Sequence, residues 1–346
     1  MDKQIRRIGV LTSGGDAPGM NALIRSVVRS ASANDISVLG IRRGYSGLIN
    51  GDIIEMGARS VDGIIRKGGT MLYTARCKEM LTEEGLQKAA DTCRYLGIDG
   101  LICCGGDGTL NEVARGAFGM WNVAVGHFPA GTGNDFIKVF GRQMNRFSHL
   151  PELTKGEELP VDYVETNCGG AVNVLSVGID ARVAAGMRKY KRLPLCRGQW
   201  PYVFSAAENI VRGLGEGYQV IIDGKSYDGD YSMIFAANGR WYGGGFCPVP
   251  DADPQDGQLD VLLVSKVGRM TAAKVVGAYK KGLGYQYPQY IKRVPAHEIE
   301  IRRRDGKDLC VNLDGEIAYT PRLQAVLRQG MKFIVPQGVR VEKQDQ

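Results

Sequence analysis

The tightest constraint on this chain is a glycine loop set between an apolar strand and a helix. Ile98–Cys104 reads as a short β-rich run, Gly105-Gly106-Asp107-Gly108-Thr109 follows at once, and Leu110–Phe118 continues with helical spacing. Backbone N–H groups of such a loop and the helix N-terminus point at one place, which suits an anion. Glycine lets the backbone approach a phosphate with no Cβ in the way. Asp107, a carboxylate among phosphates, then makes sense beside a divalent cation or an acceptor hydroxyl. A plain tight turn is the alternative, and Asn111-Glu112 directly after the loop weighs against it.

The same order recurs through the first part of the chain. Ile5–Leu11 is a strand candidate ending in glycines before the helical Met20–Ala33, Ile36–Ile41 is a second strand, and Asn122–Phe128 runs through a loop into Phe136–Phe140. Repeated strand, loop and helix imply βαβ units and a parallel sheet. Ligands of such sheets sit beyond the carboxyl ends of the strands, where these loops lie. Around Pro151, Lys155-Gly156-Glu157-Glu158 and Pro160 the texture becomes that of a linker. Strand candidates then dominate: Val161–Thr166, Ala171–Ile179, Tyr218–Asp223, Tyr231–Ala237, Leu259–Ser265, Glu298–Arg303, Leu309–Leu313 and Lys332–Val335. Asp223-Gly224, Asp228-Gly229 and Asp305-Gly306 read as hairpin turns between them, with helical stretches at Trp200–Gly213 and Thr271–Gly282. The expected fold is α/β: a parallel-sheet nucleotide domain over 1–150, an antiparallel β-sandwich domain over 151–330, and a C-terminal strand and tail over 331–346 returning to the first domain.

A chain of 346 residues, 44% hydrophobic and 23% charged, has the composition of an ordinary globular protein of about two domains. No apolar run approaches the roughly 18 residues of a spanning helix, and Met1–Arg7 is charged with no apolar core behind it, so a cytoplasmic location is expected. The net charge of +7 suits nucleotides or a negative membrane surface and is too mild to argue for nucleic acid. The local basic stretch Arg182–Arg197, with Arg188, Lys189, Lys191, Arg192 and Arg197, suits peripheral membrane contact or simply a solvated face. Eight cysteines without a CxxC pair read as reduced, mostly buried thiols. His127, His149 and His297 lack partners at catalytic or metal spacing.

Gly105–Thr109 with Asn111-Glu112 resembles the nucleotide loop shared by 6-phosphofructokinases, NAD kinases and diacylglycerol or sphingoid-base kinases. Upstream, Ile8-Gly9-Val10-Leu11-Thr12-Ser13-Gly14-Gly15-Asp16-Ala17-Pro18-Gly19-Met20-Asn21, Gly68-Gly69-Thr70 and Tyr73-Thr74-Ala75-Arg76-Cys77 closely resemble bacterial ATP-dependent 6-phosphofructokinase. Downstream that resemblance stops. Where phosphofructokinases carry an Asp-containing segment that supplies the base, this chain has Pro129-Ala130-Gly131-Thr132-Gly133-Asn134-Asp135-Phe136, similar to bacterial diacylglycerol kinase. The lipid-kinase resemblance continues through Asn238-Gly239, Gly243-Gly244-Gly245, the acidic loop Pro250–Val261 and Leu313-Asp314-Gly315-Glu316. The chain thus reads as a mosaic, phosphofructokinase-like over about 1–104 and lipid-kinase-like over about 103–340.

The resemblance implies an ATP- and Mg²⁺-dependent kinase acting on a lipid hydroxyl, most simply that of diacylglycerol, with the nucleotide in the cleft between the domains. It places Gly15, Arg76, Cys77, Gly105, Gly106, Asp107, Gly108, Thr109, Asn111, Glu112 and Thr132 at ATP. Asp107 and Asp256 would organise Mg²⁺, helped by the backbones of Asp253 and Gln258, and Glu316 would be the general base. Two of these assignments have plainer counterparts, since Asp256 also suits an acidic surface turn and Asp314-Gly315-Glu316 a simple hairpin. An EF-hand counted from Asp251 fails, because Leu262 stands where a bidentate glutamate is needed. A sugar-phosphate kinase and a poorly active chimeric nucleotide-binding protein are the alternative functions, and assembly into a homo-oligomer is left open.

Overall fold

The computed structural model describes residues 5–12, 20–67, 69–75, 77, 79–118, 123–129, 133–190, 204–209 and 213–343. The chain divides into two units, Met1–Val161 with Gly330–Glu342, and Asp162–Gln329 with Lys343–Gln346.

The first unit is built on a parallel sheet. β1 (Arg7–Thr12) lies between β2 (Ser37–Ile41) and β4 (Gly100–Gly105), and β4 pairs in parallel with β5 (Ala124–Pro129). Phe333 and Ile334 of β17 (Arg322–Val335) extend the sheet in parallel beyond β5, while β3 (Ile53–Met56) closes the other edge antiparallel to β2. β4 is buried along its whole length, as a central parallel strand covered on both faces must be. Helix α1 (Met20–Ser32) buries Leu23, Ile24, Val27, Val28 and Ala31, the three-and-four spacing of one helical face. Helices α2 (Tyr45–Asn50), α3 (Glu83–Tyr95) and α4 (Asp107–Ala117) follow, with α3 capped by Thr82, whose side chain accepts from the Gly85 N–H at 3.1 Å. An aromatic cluster of Phe136, Phe140, Phe147 and Phe333 packs in this unit, its ring centroids 4.9 to 6.5 Å apart.

The expected linker at 151–160 is not one. Helix α5 (Leu150–Thr154) and strand β6 (Glu157–Thr166) occupy it. The charges that made it look solvated have partners far along the chain: Glu157 pairs with Arg340 and accepts from the Gly338 N–H, and Glu158 meets Lys332 at 2.8 Å. Local texture could not show those partners.

The second unit is an antiparallel sandwich. One layer pairs β9 (Glu216–Ile222) with β14 (Glu298–Arg303), and β14 with the first part of β17. The other runs β16 (Glu316–Thr320), β15 (Leu309–Leu313), β8 (Val174–Gly178), β11 (Gly229–Ala237), β12 (Leu259–Ser265) and β13 (Ile291–Ala296). Alternate residues from both layers fill the core, among them Val177, Val220, Ile222, Leu263, Ile299, Ile301, Val311 and Leu323. β8, β11 and β12 are also covered on their other face, where Phe235, Leu262 and Val264 meet Val275 and Tyr279 of the helix Arg269–Lys280. Asp223-Gly224 does turn a hairpin, from β9 into β10 (Lys225–Ser226). Asp305-Gly306 does not, because β14 pairs with β9 and β17 whereas β15 pairs with β8 and β16. The single strand expected over Ala171–Ile179 is broken into β7 (Gly169–Ala171) and β8, with Val172 and Asn173 between them.

Candidate functional site

The glycine loop Gly105–Thr109 stands at the carboxyl edge of the parallel sheet, where such sheets bind ligands. Thr12 of β1 is opposite Cys104 of β4, and Gly105 is opposite Pro129 of β5, so the carboxyl ends of three strands align. Helix α4 begins inside the loop, with Gly106 as its N-cap and Asp107 in its first turn. Gly106, Asp107 and Gly108 are half-buried, whereas Thr109 and Asn111 are buried. A Cβ on Gly105 would lie 2.3 Å from Thr109 Oγ1, so glycine is required for the threonine to tuck beneath the strand. From α2 the buried Tyr45 hydroxyl donates to the Thr109 carbonyl at 3.0 Å, and burial holds that phenol protonated.

Asp107 joins this loop to the next. Its Oδ2 accepts from the Asp135 N–H at 2.6 Å and its Oδ1 from the Phe136 N–H at 3.2 Å, while its own N–H donates to the Gly133 carbonyl at 2.8 Å. Asp135 in turn is ion-paired with Lys138. The carboxylate expected to organise a cation therefore also fixes the loop that follows β5. Thr12 donates to the Tyr73 carbonyl at 2.8 Å, which draws the segment leading to the half-buried Cys77 toward the end of β1. Gly15, Arg76 and Thr132 lie outside the described residues, as does 191–197 of the basic stretch. Within that stretch Arg182 pairs with Glu216 at 3.1 Å and Lys189 with Glu208 at 3.5 Å.

In the second unit, Asp253 and Asp256 fold onto their own loop. Asp253 Oδ1 accepts from the Gln255 N–H and Asp256 Oδ1 from the Gln258 N–H. Asp162 also belongs here, although sequence reasoning gave it no role: its Oδ2 accepts from the Gly257 N–H at 2.8 Å and its N–H donates to the Pro254 carbonyl at 2.6 Å. Burial, then the charges of Asp256 and Asp253, push the Asp162 carboxyl up to about 6; burial likewise raises Asp256. Among the described residues no group of three or more His, Cys, Asp or Glu side chains is arranged to hold a metal ion.

Glu316 opens β16, exposed, across a two-residue turn. Leu313 and Glu316 are register partners, and Asp314 and Gly315 between them have φ of 50° and 93°. This is a hairpin turn with both central residues left-handed, which Asp-Gly suits. Asp314 is itself buried, its carboxyl pushed up to about 7 by burial although backbone N–H groups of Val174, Val172 and Asn173 pull it back down. Asp180, at the start of helix α6 (Ile179–Tyr190), is a half-buried carboxyl; it accepts from Ser176 Oγ at 2.5 Å and Asn312 Nδ2 at 3.3 Å. Asp162 and Asp180 gave no signal, and Asp314 only that of a turn, because an aspartate reads as exposed until its strands are paired. His127 is a core histidine, lowered to about 4 by burial.

Comparison with known proteins divides the chain in the same way. Residues 7–139 match the phosphofructokinase family, and residues 173–341 match the YegS C-terminal NAD kinase beta sandwich-like domain. The ATP-dependent 6-phosphofructokinase of Clostridium botulinum strain Hall is 58% identical over 107 residues, 31% of this chain and 34% of that protein. That of Clostridium acetobutylicum is 61% identical over 106 residues, 31% of this chain and 33% of its own length. This chain thus spans about a third of the curated relatives it matches. Over 98% of its length it shares the fold of a diacylglycerol kinase from Bacillus anthracis str. Sterne, with a TM-score of 0.61 at 18% identity and all of that chain covered. A candidate diacylglycerol kinase of the same strain gives a TM-score of 0.66 at 20% identity, with 98% of each chain covered. The chain is a mosaic: phosphofructokinase-like sequence at its N-terminal part, within a fold shared throughout with diacylglycerol kinases.

Replacing Gly105 by Ala should lower the thermal midpoint and weaken ATP binding at least tenfold, because the added methyl displaces Thr109, at a cost of about 1–3 kcal/mol. Calorimetric titration with ATP and a melting curve check this; wild-type affinity would show that the loop tolerates the shift.

Proposed function

We propose that this chain is an ATP-dependent kinase that transfers the γ-phosphoryl group to a lipid hydroxyl, that of diacylglycerol. The observation that carries the reading is the pairing of a phosphate loop on a parallel sheet with a sandwich unit whose Asp-Gly turn presents Glu316. In phosphoryl transfer the protein supplies mostly position and charge neutralisation, so a loop for the phosphates and one carboxylate for the hydroxyl proton suffice in kind. Gly106, Gly108, Thr109 and Thr132 hold phosphates, with Gly15, Arg76, Cys77, Asn111 and Glu112 completing the nucleotide site. Glu316 takes the proton.

The charge of the acidic loop suits a divalent cation held by one side chain, backbone carbonyls and phosphate, since the described side chains form no three-ligand group of their own. Besides burial, the charges of Asp256 and Asp253 raise Asp162, and those of Asp253 and Asp260 raise Asp256, a repulsion that a cation relieves. Asp256, with the backbones of Asp253 and Gln258, would hold Mg²⁺ there, and Asp107 would do so beside the phosphates. Bound Mg²⁺ supplies neutralisation of phosphate charge.

A sugar acceptor is the second reading, carried by the phosphofructokinase-like residues 7–139. It is weaker because the base-bearing segment of that family is replaced by Pro129–Phe136.

Among the described residues no helix is long and apolar enough to cross a membrane, so contact with a lipid substrate would be peripheral. The helix Arg269–Lys280 offers a surface for it. No acidic residue lies between Asp260 and Glu298, while Lys266, Arg269, Lys274, Lys280 and Lys281 do, alongside Met270 at 85% and Val276 at 52% exposure. Cations with exposed apolar side chains suit an anionic bilayer surface.

Glu316→Gln should lower turnover at least 10³-fold while ATP affinity stays within twofold; turnover near wild type would remove Glu316 from its role. Lys274→Glu with Lys281→Glu should weaken binding to vesicles containing phosphatidylglycerol, read by sedimentation, at least about 30-fold, from roughly 1 kcal/mol per cation lost. Unchanged sedimentation would place membrane contact elsewhere.

A further inference from the structure

The turn that carries Glu316 is fastened more firmly than a hairpin needs. Asp314 Oδ2 accepts from the Val172 N–H at 2.7 Å, and its Oδ1 accepts from the Val174 N–H at 2.7 Å. The Asn173 N–H between them lies 3.3 and 3.2 Å from the two oxygens. Three successive amides of the break between β7 and β8 thus converge on one carboxylate. The Asp314 N–H returns a bond to the Val174 carbonyl at 3.1 Å. On the other side of the turn, Asn312 Oδ1 accepts from the Gly315 N–H at 2.9 Å, and Asn312 Nδ2 donates to Asp180 at 3.3 Å. Asp314 is therefore held from outside the hairpin, and Gly315 by Asn312 of β15, which is itself tied to Asp180.

We propose that Asp314 is the positioning residue for Glu316, anchoring the two-residue turn to the amides of Val172, Asn173 and Val174 so that the glutamate is held in one place. The proposal rests on the reading of Glu316 as the base. The choice of side chain supports it. Asn-Gly makes the same left-handed turn and brings no buried charge, so the turn alone gives no reason for a carboxylate. Two acceptor oxygens with no proton of their own are what three converging N–H donors require; the NH₂ of an asparagine would face one of them donor to donor. A buried charge is tolerable only while that geometry is kept, which makes the anchor stiff. Stiffness is what a general base needs, since a displacement near 1 Å can cost on the order of 10²-fold in rate.

The test is Asp314→Asn, which keeps the turn preference and removes the three-amide acceptor. With radiolabelled ATP and diacylglycerol in vesicles, kcat should fall 30- to 100-fold while KM for ATP stays within twofold and the circular dichroism spectrum is unchanged. Because Asp314 acts through Glu316, the double variant Asp314→Asn/Glu316→Gln should be no slower than Glu316→Gln alone. Losses that multiply in the double variant, or a kcat for Asp314→Asn within threefold of wild type, would overturn the proposal. If Asp314→Asn does not fold, Asn312→Ala, which frees the Gly315 side of the turn and its tie to Asp180 while leaving the three amides on Asp314, carries the test: a five- to tenfold loss of kcat at constant KM for ATP is expected, and an unchanged kcat overturns it. Normal turnover by Glu316→Gln would instead remove the base reading, so the two failures are told apart.

Discussion

The hydrogen bonds of the Asp107 carboxylate are the interaction on which the nucleotide half of this account depends. A parallel sheet brings the ends of β1, β4 and β5 to one edge, but it does not fix the loops beyond them. Asp107 does so by accepting from the N–H groups of Asp135 and Phe136, while its own N–H reaches the Gly133 carbonyl. Two loops far apart in sequence thereby become one backbone surface. Tyr45 braces the same surface from below through the Thr109 carbonyl. A carboxylate is well suited to this duty, because it accepts from several amides and retains lone pairs for a cation.

The second unit solves a similar problem by the same means. Its sandwich core comes from ordinary alternation, yet its polar loops are tied by buried and half-buried aspartates. Asp162 holds the acidic loop through the Gly257 N–H, Asp180 receives Ser176 and Asn312, and Asp314 gathers three amides. Each carboxyl is raised by burial, with neighbouring carboxylates adding to the effect at Asp162. Such groups are costly to bury unless well partnered. Where they occur, the backbone they hold has little freedom, and the segments held here are those that carry Asp253, Asp256 and Glu316.

The layout of the fold was legible because its signals are local. Strand, glycine loop and helix recur at 98–118, and alternation marks Tyr218–Asp223 and Glu298–Arg303. Errors arose where the deciding partner is remote. Glu157 and Glu158 looked like linker residues because Arg340 and Lys332 lie at the far end of the chain. β13 is absent from the expected strands; it pairs antiparallel with β12 and contains Pro295, a residue strands accept mainly at edges. Asp314 could be read as a turn residue and no more, because the amides it receives belong to a strand break some 140 positions earlier. The motifs of the candidate site were legible, while the contacts that stiffen them were not.

The central claim is that ATP bound at the Gly105–Thr109 loop phosphorylates a lipid hydroxyl. Its most direct test is a single assay of γ-labelled ATP with the purified chain and Mg²⁺ against diacylglycerol, a sphingoid base and fructose 6-phosphate. The account predicts label in phosphatidic acid, at a rate at least a hundredfold above that for the sugar phosphate. Label in fructose bisphosphate with none in lipid would contradict it and return the acceptor to the sugar that residues 7–139 suggest.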